Sequence, residues 1–266
     1  MKTAEAFLQE LKKTPQVPFI IDQLLPDSRQ AFTIICGQPE IGKTNLSLYL
    51  AFCIAAGEPF CSFRTQKKKV GYLAMEGGAY QIGSRVIILS QHFHGIPDNL
   101  HIQVVQPTPL TAKGKAELME LVTGLEVAII DPLKFLIPGD YMKPSDVVKG
   151  LSTALEIQNE TGTTFILVGH IRKPDRKLIS YPEDYWSELK GPTEYMEMAN
   201  SALMFTRPAH TRDARGLFTS SQDDRIPYFI KAKDATKELK PLNLKFNREK
   251  LLYLPVKEHH EEEDYS

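Results

Sequence analysis

Phe32-Thr33-Ile34-Ile35-Cys36-Gly37-Gln38-Pro39-Glu40-Ile41-Gly42-Lys43-Thr44 is the stretch around which the rest of this chain has to be arranged. Phe32 to Cys36 reads as a short buried strand, and the residues from Lys43 to Ala56 read as a helix, so the octet Gly37 to Thr44 joins a strand to a helix. Two glycines, Gly37 and Gly42, let such a loop curl until successive backbone N–H groups face one point, and the helix N-terminus adds its partial positive charge. That is a seat for phosphates. Gly37, Gln38, Pro39, Glu40, Ile41, Gly42, Lys43, Thr44 and the neighbouring Asn45 are the nucleotide-binding candidates, with Lys43 placed to reach the β- and γ-phosphates and Thr44 to ligate Mg²⁺. The ligand this chemistry implies is ATP with Mg²⁺.

Three further strand ends supply the remaining chemistry. Val127-Ala128-Ile129-Ile130-Asp131 is an apolar run closed by one carboxylate, and Asp131 is the candidate to hold Mg²⁺ through a coordinated water. Val70 to Met75 is followed by Glu76 and then Gly77-Gly78, which suits a carboxylate that polarises an attacking water beside a closely approaching backbone. His170 closes Phe165-Ile166-Leu167-Val168-Gly169 and is placed to bond the γ-phosphate and report its loss. Glu76, Lys43 and His170 are therefore the catalytic candidates, and Thr44 and Asp131 the metal candidates.

Strand-like runs at Phe32 to Cys36, Val70 to Met75, His101 to Val105, Val127 to Ile130 and Phe165 to Val168 alternate with helical segments near Lys43 to Ala56, Tyr80 to His92, Lys113 to Val122 and Ser145 to Asn159. The alternation predicts an α/β fold with a mostly parallel central sheet flanked by helices. Beyond Ser201 the runs come closer together, near Leu203 to Thr206, Leu217 to Ser220, Tyr228 to Lys231, Leu242 to Phe246 and Leu251 to Leu254, and the spacing predicts antiparallel strands added to the same sheet. Pro15, Pro18 and Pro26-Asp27-Ser28 separate a helical extension, 1–16, from an ATPase domain over 17–256, and 257–266 reads as a disordered acidic tail.

Lys+Arg 32 against Asp+Glu 33 gives no global basic field of the kind that announces a nucleic-acid binder. The longest apolar stretch, Leu48 to Ala56, falls far short of the roughly 20 residues of a membrane-spanning helix, so no membrane partner is expected. Cys36, Cys53 and Cys61 form neither an even disulfide set nor a CxxC pair, and the N-terminus lacks the apolar core of a signal peptide; both point to a reducing cytoplasm. The segment from Lys173 to Lys190 combines Tyr181, Tyr185 and Trp186 with Lys173, Arg176, Lys177 and Lys190. It suits either a single nucleic-acid strand, with bases stacked on rings, or a subunit interface that buries the rings.

In this order the motifs resemble the RecA-like P-loop ATPases, and among them the hexameric replicative helicases of the RepA type. The resemblance runs from about Pro18 to Lys233. It rests on Phe19-Ile20-Ile21-Asp22-Gln23-Leu24-Leu25-Pro26, the Gly37 to Thr44 loop, Ala74-Met75-Glu76-Gly77, Asp131, Gly169-His170-Ile171-Arg172-Lys173 and Leu189-Lys190-Gly191-Pro192. It implies a RecA-like fold, hydrolysis of ATP, a homo-oligomeric ring, a hexamer in that family, and single-stranded DNA as a partner. It also implies an arginine and a lysine that reach a neighbouring subunit's nucleotide. Lys233 sits like that lysine; at the usual arginine position the chain reads Asn200-Ser201-Ala202-Leu203, with Arg207 one turn of pattern later. A regulatory ATPase that switches assembly or partner binding without translocating is the alternative reading.

Overall fold

The alternation of apolar strands and helices builds one large sheet with a hydrophobic layer on each face. The computed structural model describes residues 3–13, 19–27, 32–170, 194–207, 223–233, 235 and 239–256. Its elements are α1 (Ala4–Lys13), β1 (Phe19–Ile21), β2 (Leu25–Pro26), β3 (Phe32–Gly37), α2 (Lys43–Ala56), β4 (Val70–Ala74), α3 (Ala79–His92), β5 (Leu100–Val104), α4 (Ala112–Val122) and β6 (Val127–Asp131). After a 3-10 turn, Leu133–Leu136, come α5 (Pro144–Thr161), β7 (Thr164–His170), α6 (Glu194–Met198), β8 (Ser201–Thr206), β9 (Asp224–Ala232), β10 (Leu244–Asn247) and β11 (Leu252–Pro255).

Among the described residues the main sheet has nine strands in the order β11-β10-β9-β8-β3-β7-β6-β4-β5, while β1 and β2 form a small antiparallel pair of their own. From β8 to β5 neighbouring strands run parallel; β9, β10 and β11 are added antiparallel. The antiparallel expectation holds: β11 pairs antiparallel with β10, β10 with β9, and β9 with Ser201–Thr206, the strand that joins this part to the rest of the sheet. That strand lies parallel to β3, pairing Ile35 with Leu203 and Gly37 with Phe205. It therefore joins the parallel part of the sheet on one side and the antiparallel part on the other. The expected strand Leu217 to Ser220, the loop Lys173 to Lys190 and the tail 257–266 lie outside the described residues.

Period-two alternation sorts side chains onto the two faces. Ile35, Val127, Ile129, Ile166 and Val168 pack with α2 and α3 on one face, together with Ile20, Ile21, Leu24 and Leu25 from the β1 and β2 region. Phe32, Ile34, Cys36, Ala128, Ile130, Phe165 and Leu167 pack with α4, α5 and α6 on the other. Helix α2 is buried on all sides from Leu46 to Ala55, which is why it is apolar all round rather than amphipathic. Truncating a residue such as Leu50 or Phe52 to alanine there would cost about 2–5 kcal/mol. Helix α4 starts at Thr111, whose hydroxyl accepts from the Gly114 N–H, and α5 starts on Pro144 at its first turn. No described helix is long and apolar enough to cross a membrane.

Candidate active site

The register of the parallel strands sets out the site. Gly37 at the end of β3 lies level with Phe205 on one neighbour and His170 on the other, and Ala74 of β4 lies level with Asp131 of β6. Along one edge of the sheet the order is therefore Phe205, Gly37, His170, Asp131 and, two residues beyond Ala74, Glu76. This is the carboxyl edge, where open α/β sheets bind ligands. A cleft of about 340 Å³ opens there, lined by Glu40, Gly42, Lys43, Thr44, Asn45, Glu76, Gly77, Gln81, Arg85, Asp131 and His170.

The loop owes its path to its two glycines. A side chain at Gly37 would put its Cβ 2.4 Å from the Phe205 carbonyl oxygen, and Gly42 has φ 102°, a left-handed conformation that disfavours other residues. Lys43 is 6% exposed and folds back over its own loop, its Nζ donating to the carbonyl oxygens of Gly37 at 3.0 Å and Gln38 at 2.8 Å. Burial pulls its pKa down from 10.5 to about 8, against the opposing pull of the Asp131 carboxylate.

Asp131 shares the parity of Val127 and Ile129, so it faces α2. Its Oδ2 accepts from the Thr44 hydroxyl at 2.7 Å and from the Tyr72 hydroxyl at 2.8 Å, and the Ser47 hydroxyl lies 3.0 Å from Tyr72. Burial raises the Asp131 pKa above the usual carboxylate value, and the Thr44 and Tyr72 bonds hold it back. Thr44 and Asp131 are thus side by side where a divalent ion would meet a phosphate. No group of three His, Cys, Asp or Glu side chains among the described residues could hold a metal by itself. An ion here would take its remaining ligands from water and from the nucleotide, the usual habit of Mg²⁺.

Glu76 is exposed over the cleft. Its two carboxylate oxygens receive Lys134 Nζ at 3.3 and 3.4 Å, and His170 Nε2 lies 3.9 Å from Oε2. Lys134 stands on the 3-10 turn directly after β6, with its ammonium over the Phe135 ring. Lys134, Gln81 and Arg85 are site residues that the sequence reading did not single out. Gln81 and Arg85 are four apart on α3, the helix that follows Glu76, so their shared face was readable once that helix was expected. Arg85 makes no ion pair among the described residues.

Other candidates fall elsewhere. Gln38, Pro39 and Ile41 belong to the loop without lining the cleft; Ile41 is buried and Pro39 exposed. Arg207 follows β8 on the same edge as the loop but outside the cleft lining. Lys233 follows β9, whose Ala232 is level with Ser201, and so stands at the opposite edge of the sheet from its own chain's loop.

A glycine-containing loop between a central parallel strand and a buried helix, with carboxylates on the neighbouring strand ends, is the arrangement of a RecA-like fold. The chain belongs to the AAA domain family (AAA_25), whose profile matches residues 3–176. Among solved structures it is similar to a DnaB-like replicative helicase, a structure that also concerns that helicase's interactions with primase. The TM-score is 0.68 at 13% identity, over 97% of this chain and 68% of that one. It is also similar to a KaiC-like protein of the hyperthermophilic archaeon Pyrococcus horikoshii OT3, with a TM-score of 0.56 at 10% identity over 86% of this chain and 90% of that one. No curated protein sequence matches the chain. At these identities the structures share the fold.

Proposed function

We propose that the chain binds Mg-ATP and hydrolyses it, as a cytoplasmic, ring-forming, DNA-dependent ATPase of the helicase type that serves plasmid, phage or mobile-element replication. The ATPase unit spans 17–256. The observation that carries the reading is the convergence of Lys43, the Thr44–Asp131 pair and Glu76 on one cleft. Lys43 and the loop N–H groups bind the phosphates, Thr44 and Asp131 hold Mg²⁺, and Gln81 and Arg85 line the approach. Mg²⁺, when bound, neutralises phosphate charge and orients the γ-phosphate for in-line attack. Glu76 orients the attacking water and takes its proton, and His170 bonds the γ-phosphate beside it.

A regulatory ATPase that changes assembly state without translocating has one observation in its favour. Ser201, Ala202 and Leu203, where RepA-type helicases carry their arginine, are buried in a strand interior and offer no cation to a neighbour. One experiment addresses both readings: turnover of wild type and Glu76→Gln, with and without single-stranded DNA. Wild-type hydrolysis stimulated by DNA, with turnover lowered about 100-fold in the variant at unchanged Mg-ATP affinity, supports the helicase-type reading. Hydrolysis indifferent to DNA supports the regulatory one. A Glu76→Gln variant as active as wild type removes Glu76 from the mechanism.

A further inference from the structure

The antiparallel strands at the end of the chain reach back to the phosphate-binding loop. From β9, the buried Arg225 donates through Nε to the Ile41 carbonyl oxygen at 2.9 Å. From β11, the fully buried Tyr253 donates its hydroxyl to the Gly42 carbonyl oxygen at 3.0 Å. The two donors are held by one ring: Phe246 of β10 stacks on Tyr253 with centroids 4.9 Å apart, and the Arg225 guanidinium lies 5.6 Å from the same ring. Tyr253 approaches so closely that a Cβ on Gly42 would meet its hydroxyl at 2.7 Å.

A trans peptide points each C=O opposite to the N–H that follows it. Fixing the Ile41 carbonyl toward Arg225 turns the Gly42 N–H away from β9, and fixing the Gly42 carbonyl turns the Lys43 N–H the other way from Tyr253. Those N–H groups are among the ones a phosphate-binding loop must present together. We propose that Arg225 and Tyr253 are positioning residues for phosphate binding: they hold the peptide planes at Ile41 and Gly42 in the phosphate-ready orientation before any nucleotide arrives. This inference rests on the nucleotide reading of the cleft. Without the brace the loop samples other peptide orientations, and the observed dissociation constant rises by the inverse of the competent fraction. The functional part of the C-terminal strands, on this view, is two hydrogen bonds.

The test compares Mg-ADP binding by calorimetry in wild type, Lys43→Ala, Tyr253→Phe and Arg225→Met, with amide exchange followed at residues 41–44. Tyr253→Phe keeps the ring, its stacking and the Leu46 N–H bond to Gly42, so it should fold and melt close to wild type. Its affinity should fall about fivefold, the size of one ordinary hydrogen bond. Exchange at residues 41–44 should quicken in the free protein and return to the wild-type rate at saturating Mg-ADP. Arg225→Met should weaken binding further. The inference is overturned if Tyr253→Phe binds Mg-ADP within about twofold of wild type, or if exchange quickens throughout β9 to β11 while the loop is unchanged. If wild type and Lys43→Ala bind alike, the nucleotide reading itself fails and takes the brace with it.

Discussion

Lys43 supplies the most quantitative test, because its environment moves its titration into an accessible range. With a pKa of about 8 in the free protein, about nine-tenths of Lys43 is charged at pH 7 and only about 3% at pH 9.5. Phosphate binding at Lys43, as proposed, would require the ammonium and raise its pKa, so binding would take up a proton whenever the free protein has lost it. The apparent affinity for Mg-ADP should therefore fall about 30-fold between pH 7 and 9.5. An ordinary lysine with a pKa of 10.5 would change the affinity by less than about 1.2-fold over the same range. Calorimetry in buffers of different ionisation enthalpy should show uptake approaching about one proton near pH 9. Lys43→Arg, permanently charged, should bind with a flat profile whatever its absolute affinity. An affinity independent of pH to 9.5 in wild type would refute the claim that a desolvated Lys43 meets the phosphates. The same shift has a sign for the free protein's stability. A lysine depressed in the folded state contributes stability above its unfolded value of 10.5 that is lost as pH falls through about 8.

Two other substitutions follow from the geometry. Asp131→Asn keeps an oxygen for the Thr44 and Tyr72 hydroxyls but removes a carboxylate whose pKa burial raises, so the nucleotide-free protein should melt a few degrees higher while losing its Mg²⁺-dependent affinity for ATP; thermal shifts with and without Mg-ATP check both parts. Lys134→Met releases both oxygens of an otherwise exposed Glu76, and steady-state kinetics should show kcat lowered about 3- to 10-fold at unchanged KM, whereas a raised KM at unchanged kcat would make Lys134 a binding residue.

What the sequence disclosed follows from how far apart the cooperating residues lie. The loop and its helix were legible because Gly37 to Thr44 carry the backbone freedom and the chemistry in consecutive positions, and α2 begins at Lys43 and ends at Ala56 as its pattern predicts. Asp131, Glu76 and His170 were legible because each ends an apolar run, and parallel strands bring their carboxyl ends to one edge. Their neighbours were less visible. Lys134 is one more lysine in a turn until the register puts it beside Glu76. Tyr72 reads as a strand core residue until Asp131 is seen to face it. Arg225 and Tyr253 lie 184 and 211 residues from the carbonyls they hold, and no local pattern reports such a contact. The antiparallel pairing of Ser201–Thr206 with β9 was legible from the close spacing of the strands, whereas its parallel pairing with β3 on the other side, a contact across more than 160 residues, was not.

On the proposed reading, nucleotide entry would be an exchange of partners rather than a rearrangement. Lys43 already has two acceptors, both uncharged carbonyls of its own loop, and Asp131 already has two donors, both uncharged hydroxyls. Phosphate would replace carbonyl oxygen for the one, and a water held by Mg²⁺ would replace a hydroxyl for the other. The first exchange would trade a bond to a neutral partner for one with charge on both sides, which is the stronger kind, and the second would give the Asp131 carboxylate a donor polarised by the metal. The backbone need not move for this if the peptide planes at Ile41 and Gly42 are already set, which is the part played by Arg225 and Tyr253. Burial of Lys43 and Asp131 destabilises each charge in the free state. The same burial excludes the water that would screen them once phosphate and metal are in place. The strain on their titration and the strength of the site therefore have one physical origin, and a substitution that relieves the first should weaken the second.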